Sequence, residues 1–262
     1  MLVAGPARAQ VPEDAVQGAR LPYEQLGRRQ NEVQFGVSRL TREVSSTVDV
    51  QTQITSAFIA YSRGVTARLE LGVLLPYVLY SEETMLGAAG GGARAESRYG
   101  VSDPTFRIRY ALKEEGDSVA VTLGALAMPD WGGRGRRFNA GAETLEPFVV
   151  LGKKIGATQL YLRYGHAYRG GEAPDSQSVT LGGRRAVGDG WGVLGTLSYS
   201  RSTGAANMES RGVPGGSLGG YADLPNGMQL VVRYGMSTST GGSERLDDAR
   251  TRNIALSLVQ RF

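Results

Sequence analysis

Cysteine is absent from this 262-residue chain, and histidine occurs once. Without cysteine there is no disulfide scaffold, no thiolate zinc site and no thiol catalysis. A single histidine excludes a His-rich metal site, and the residues suggest neither a metal nor a cofactor. Long apolar runs are also missing. The longest stretch without a charge is 50–62, whereas a membrane-spanning helix needs about 20 mostly apolar residues. Glycine, by contrast, is plentiful: its 38 residues are about twice the usual share of roughly 7%. With 41% hydrophobic residues and a net charge of +4, the averages resemble a Gly-rich soluble protein. Sorting residues by parity removes that impression.

At the start of the chain, Ala7-Arg8-Ala9 forms an A-x-A-like cleavage site, with small residues at alternate positions as signal peptidase requires. Residues 1–9 are therefore expected to be a signal-peptide remnant, with a mature start near Gln10. Residues 10–31 are polar and lack periodicity. They are expected to form a flexible periplasmic or lumen-plugging leader.

From residue 32 to 262 the pattern has period two, so alternate side chains face opposite sides of a sheet. Twelve segments are predicted: 32–40, 52–62, 68–80, 103–113, 118–128, 144–155, 158–168, 177–186, 191–201, 217–224, 228–238 and 251–262. In the third, Leu69, Leu71, Val73, Leu75, Tyr77 and Leu79 share one face; in the eleventh, Met228, Leu230, Val232, Tyr234 and Met236 do. The register of the second and sixth segments stays open, because both faces carry apolar residues. Helical i, i+3, i+4 stripes are absent.

The connections alternate. After even segments they are tight: 63–67, 114–117, 156–157, 187–190 and 225–227. After odd segments they are longer and rich in Gly, Ser or charge. Transmembrane β-barrels show this asymmetry, with short periplasmic turns and longer extracellular loops. Most segments also match the roughly 9–11 residues that a tilted membrane strand needs. An even strand count closes the sheet, and closure is required where lipid cannot hydrogen-bond the backbone. Tyr61, Tyr80, Tyr99, Tyr168, Trp191 and Tyr199 lie near segment ends, as interfacial girdles do. The expected fold is an all-β transmembrane antiparallel barrel of 12 strands in the bacterial outer membrane.

If the Leu, Val and Tyr positions face lipid, the opposite face lines the lumen. It receives Glu70, Arg107, Arg109, Arg163, Arg184 and Arg233 as candidate pore-lining residues. Arg at mid-depth in lipid costs about 2–4 kcal/mol, so these residues belong inside or near an interface. Thr196, Ser198, Ser200, Asn253, Ser257 and Arg261 follow on the same face. Rings of Arg favour anions in a pore; alternatively these Arg pair with Glu70, Glu32 or Glu146 and fill a narrow barrel. His166 falls on the lipid face among Leu162, Tyr164 and Tyr168 and reads as a girdle residue. Gly87–Gly92 lacks the following helix that a phosphate loop requires. Glu82-Glu83 and Asp247-Asp248 read as solvated loop charge. Basic charge is spread along the strands rather than clustered, so no nucleic-acid partner is expected.

The chain ends on Phe262, with Ile254, Leu256 and Leu258 on its face and Gln260 two residues before the end. This resembles the C-terminal signal of outer-membrane barrels that the barrel-assembly machinery reads. Two further stretches carry a family resemblance. Residues 64–80 contain Gly64-Val-Thr-Ala-Arg-Leu-Glu-Leu-Gly72 and Pro76-Tyr77; residues 100–112 contain Gly100, Asp103-Pro104, Phe106 and Tyr110. These resemble the outer-membrane transporter-like family labelled "MetA-pathway of phenol degradation". Ala67 replaces the polar residue often seen in the first turn. The resemblance implies a twelve-stranded outer-membrane channel, with relatives linked to uptake of aromatic compounds and to secretion of amyloid subunits. It implies no catalytic residue.

The expected function is passage of small solutes, anionic or aromatic, through a basic lumen. The alternatives are an export barrel for a polypeptide, an autotransporter-like translocator, and a structural or adhesive barrel. Expected partners are outer-membrane lipid and lipopolysaccharide, the assembly machinery via Phe262, and the solute or exported polypeptide. The sequence leaves a homo-oligomer open. A rim enzyme is disfavoured, since His166 stands alone.

Overall fold

The computed structural model describes residues 19–45, 49–86, 98–116, 118–130, 143–170, 174–203, 212–239 and 248–262. The signal-peptide remnant, residues 10–18 of the leader, the Gly87–Gly92 stretch and Asp247 lie outside the described residues.

The strands are β1 (Asn31–Ser45), β2 (Asp49–Gly64), β3 (Leu69–Leu86), β4 (Arg98–Val101), β5 (Thr105–Lys113), β6 (Ala120–Met128) and β7 (Thr144–Ile155). They continue as β8 (Thr158–Arg169), β9 (Asp175–Gly188), β10 (Trp191–Thr203), β11 (Gly212–Asp223), β12 (Met228–Ser239) and β13 (Asp248–Arg261). Both β4 and β5 pair with β3. They are two pieces of one crossing, interrupted at residues 102–104. Pro104 lacks an N–H to donate and so belongs at a strand start, while Ser102 N bonds Pro76 O at 3.1 Å.

The ring thus has twelve crossings, all antiparallel. It closes where β1 pairs with β13, from Glu32↔Arg261 to Ser45↔Asp248. Asn31 N and Phe262 N each bond the other's carbonyl oxygen, at 2.7 and 3.1 Å. Closure gives each long strand a partner on both sides, as lipid requires; the short β4 pairs with β3 alone among the described residues.

Alternation decides the faces as expected. Phe35, Leu71, Ile108, Leu123, Leu162, Tyr234 and Leu256 point outward and are exposed. Their inward neighbours Gln34, Glu70, Arg109, Thr122, Arg163, Arg233 and Ser257 are buried. The two open registers resolve the same way: Thr52, Ile54, Ser56 and Phe58 face inward on β2, and Thr144, Phe148 and Val150 on β7.

Several strands run further than the sequence indicates. β1 continues to Ser45 and β3 to Leu86, through Arg42, Glu43, Glu82 and Glu83. The backbone ladder persists there, with Glu43↔Gln51 and Gln53↔Glu82. Beyond the hydrocarbon both faces of a strand meet water, so the apolar alternation that marks a strand ends before the strand does.

The glycine share has a packing cause. A Cβ on Gly124 would lie 2.3 Å from the Phe148 ring, and one on Gly152 would lie 2.1 Å from the Tyr23 ring. Rings folded over bare backbone fill the bore without distorting the wall.

Candidate functional site in the barrel lumen

The lumen holds a segment that the sequence pattern leaves undefined. Residues 19–30 precede β1; 19–26 run inside the ring, and the exposed Arg28, Arg29 and Gln30 lead out to the end of β2. Leu21, Pro22, Tyr23 and Glu24 make a turn in which Glu24 N bonds Leu21 O at 3.0 Å and Glu24 Oε2 accepts from Leu21 N at 2.7 Å. Proline after the first residue presets the φ such a turn needs. Leu21 and Tyr23 are buried in a cluster with Ala120, Leu126, Phe148, Val150 and Tyr161 from β6, β7 and β8. Ala19 packs on the opposite wall with Leu194, Val231 and Val259.

Polar contacts fix the same segment. Arg20 reaches Glu32 at 3.1 Å and Glu70 at 2.5 Å. Its guanidinium also donates to Glu24 O at 2.7 Å. Burial disfavours the charge on Arg20, but Glu32 and Glu70 outweigh it and hold the guanidinium pKa above its ordinary value. Leu26 N donates to Glu70 Oε2 at 3.1 Å, and Arg109 donates to Pro22 O at 3.0 Å. Arg184 donates to Ala19 O and to Glu24 Oε1, both at 2.7 Å. Gln229 Oε1 accepts from Ala19 N at 3.3 Å.

The six candidate pore-lining residues all sit on the inner wall. Glu70 is 1% exposed and bonds Arg109, with Arg107 at 3.5 Å. The register explains this grouping, because Glu70 faces Arg109 across the β3–β5 ladder and Arg107 lies one pleat further on. Arg163 on β8 pairs with Glu146 at 2.8 Å and lies 4.6 Å over the Phe148 ring. Arg184 is tied to the leader and to Gln159. Arg233 on β12 is buried between Gly219 and Ala255 of the flanking strands. Arg261 reaches Glu32 at 2.8 Å near the end of the barrel where β1 begins and β13 ends.

One cluster thus joins four guanidiniums (Arg20, Arg107, Arg109 and Arg261) through two carboxylates, Glu32 and Glu70. Buried charges need partners, since taking one unpaired out of water costs several kcal/mol (roughly). With four guanidiniums to two carboxylates, the cluster carries more positive than negative charge. A cleft of about 320 Å³ runs beside Tyr23, Glu24 and Leu26 to Ala111 and Lys113 at the end of β5.

His166 takes no part in this. It lies on the outward face of β8, stacked at 4.4 Å on Tyr168, with Nε2 4.0 Å from Asp175 Oδ2.

Sequence reasoning overlooked Arg20, Leu21, Tyr23 and Glu24. Glu32 on β1 lies 12 residues from Arg20, but their other wall partners, on β3 and β6 to β9, are far away in sequence. The one local signal is the Leu-Pro-Tyr-Glu turn, two apolar residues about a proline in a polar stretch.

No protein-family model and no curated protein matches this sequence. Solved structures do. The barrel superposes on an outer-membrane channel from Pseudomonas putida F1 with a TM-score of 0.69 at 14% identity, covering 92% of this chain and 98% of that one. The fold is that of a bacterial outer-membrane β-barrel. This barrel also matches the KdgM porin in complex with disordered oligogalacturonate, with a TM-score of 0.52 at 8% identity, covering 86% of this chain and 99% of that one. A deletion mutant of the TodX monoaromatic hydrocarbon channel matches with a TM-score of 0.50 at 8% identity, covering 99% of this chain and 96% of that one. These three structural neighbours are channels and porins.

Proposed function

We propose that this protein is an outer-membrane channel passing small anionic or aromatic solutes through a basic lumen, closed at rest by its own leader. The observation that carries the reading is the bore itself. Three wall guanidiniums and the leader's own Arg20 share two carboxylates, and the leader is docked by both apolar and ionic contacts. A twelve-stranded ring lies between small barrels filled by side chains and the wider porins, so one short segment suffices to block it. The compounds handled by the porin and hydrocarbon-channel neighbours fall in the same two classes. Chemistry plays no part in this reading, and neither does His166.

The reading includes a signal peptide ahead of Gln10, a Gram-negative source and contact with lipopolysaccharide. It also includes delivery by the assembly machinery through Phe262. Planar-bilayer recording tests the central claim. The full chain is expected to give small, infrequent conductance, and deletion of residues 10–31 to enlarge it. The current favours anions, and the Arg107→Ala plus Arg109→Ala variant reduces that preference. Silence from both the full chain and the deletion variant, or cation preference in the unaltered protein, overturns the proposal.

A further inference from the structure

The periplasmic end of the barrel carries a basic patch outside the lumen. Arg28 and Arg29 stand where the leader leaves the ring, Arg63 lies at the end of β2, and all three are exposed. Backbone bonds bring them together. Arg29 N donates to Gly64 O at 2.8 Å, and Gly64 N donates to Gln30 O at 2.9 Å. Asn31 then stands opposite Arg63 in the β1–β2 ladder. Among the described residues, none of the three arginines has an acidic partner. The acids that flank Arg28 and Arg29 in sequence are committed elsewhere. Glu24 pairs with Arg184, and Glu32 with Arg20 and Arg261. Arg68, beyond the β2–β3 turn, is taken up by Glu114 at 3.6 Å.

The outward rows of β1 and β2 set the level of the patch. Phe35 stands opposite Ile59, and both are exposed apolar side chains. Val33 and Tyr61 form the next row, with the Tyr61 hydroxyl donating to Asn31 Oδ1 at 2.8 Å. Asn31 and Arg63 form the row after that. Each outward step covers roughly 7 Å along the strand. Within two steps the wall passes from lipid-facing apolar groups to a girdle tyrosine and then to a guanidinium. Acyl chain, interface and headgroup follow one another in the same order.

Arg29 adds a separate observation. Its φ is 66°, in the left-handed region that glycine adopts freely and that is costly for a residue with a Cβ. Glycine would serve this turn better, so an arginine here points to work done by its side chain.

We infer that Arg28, Arg29 and Arg63 bind the headgroup of an anionic glycerophospholipid in the inner leaflet of the outer membrane. Guanidinium forks take phosphate oxygens in pairs. The lipid's glycerol lies toward Tyr61, and an acyl chain runs along Ile59 and Phe35.

Native mass spectrometry of the full protein in detergent micelles tests this with matched probes. Phosphatidylglycerol has an anionic headgroup, and phosphatidylcholine with the same acyl chains a zwitterionic one. Soluble glycerol 1-phosphate offers the phosphate without the chains. Phosphatidylglycerol is expected to bind more tightly than phosphatidylcholine on the order of a hundredfold. That is about fivefold for each guanidinium, equivalent to about 1 kcal/mol, and it shrinks as salt is raised. The triple variant Arg28→Gln, Arg29→Gly, Arg63→Gln removes the preference. Arg29→Gly alone lowers it about fivefold, while the barrel unfolds at an unchanged or higher temperature because the backbone strain is relieved. A purely structural Arg29 predicts the reverse, a lower unfolding temperature with lipid preference intact, and that result overturns the assignment. So does equal affinity for the two lipids, or a preference that survives the triple variant. Displacement of phosphatidylglycerol by glycerol 1-phosphate at equal concentration makes the site one for free phosphate and overturns the lipid. The assay measures no ion flow, so a silent barrel leaves it valid, and its failure leaves the channel reading standing.

Discussion

The leader's hold on the lumen can be measured through Arg20. Its guanidinium bridges Glu32 and Glu70, two residues that are themselves buried. Removing one partner of a buried ion pair costs about 3–5 kcal/mol. Here the lower end applies, because Glu70 retains Arg109 and Glu32 retains Arg261. A loss of about 3 kcal/mol shifts the docked-to-released ratio roughly a hundredfold, at about 1.4 kcal/mol per decade. Leu21 and Tyr23 still oppose release, at about 1.5–3 kcal/mol for each fully buried side chain. The native chain has no cysteine, so a single introduced thiol is an unambiguous reporter. Ala19 is fully buried, and Ala19→Cys changes little volume. The assay is the labelling rate of that thiol by a water-soluble maleimide, with and without Arg20→Ala. When docking and release are fast, the rate follows the released population, so it should rise on the order of a hundredfold. Arg20→Lys should fall between, since an ammonium lacks the fork that reaches both carboxylates. An unchanged rate in Arg20→Ala would refute the ion-pair argument.

Two further outcomes follow from Tyr23. Gly152→Leu places side-chain atoms in the space of the Tyr23 ring, so it should release the leader and raise bilayer conductance without unfolding the barrel; unaltered conductance counts against the packing described. Burial, then the nearby charges of Glu115 and Glu24, push the Tyr23 pKa up. A raised pKa means that docking is fully retained below the free tyrosine value of about 10 and weakens as pH rises above it. Alkaline release of the Ala19→Cys reporter should therefore begin above that pH, and Tyr23→Phe should remove this component.

Most of the wall is legible in sequence, because lipid on one side and water or packed polar groups on the other impose strict alternation. Leu71 and Glu70, or Ile108 and Arg109, reveal their faces without coordinates. The turn at residues 156–157 and the strand β7 emerge with their observed bounds. The extensions through Arg42 and Glu43, or Glu82 and Glu83, are not legible, since strands leaving the hydrocarbon lose the contrast that marks them. The candidate site is legible only in part. Its Arg residues can be placed on the inner face, but which acid each one meets depends on register between strands. Glu70 finds Arg109 through a ladder that no local pattern specifies. The leader is least visible of all, because apart from the Arg20–Glu32 pair the contacts of Arg20 and Tyr23 with the wall join residues far apart in sequence.

The ring-and-glycine packing of the bore carries a consequence for assembly by parts. At Gly124 and Gly182 the covering ring comes from a neighbouring strand, Phe148 or Tyr161; at Gly152 it comes from the leader. At Gly152 the wall therefore has no ring of its own, and the covering piece arrives on a tether rather than on a strand. A keyhole of this kind recognises its key whether or not the two are covalently joined. A synthetic peptide with the sequence of residues 19–30, added to a barrel cut back to Asn31, has the contacts needed to seat itself and shut the pore in trans.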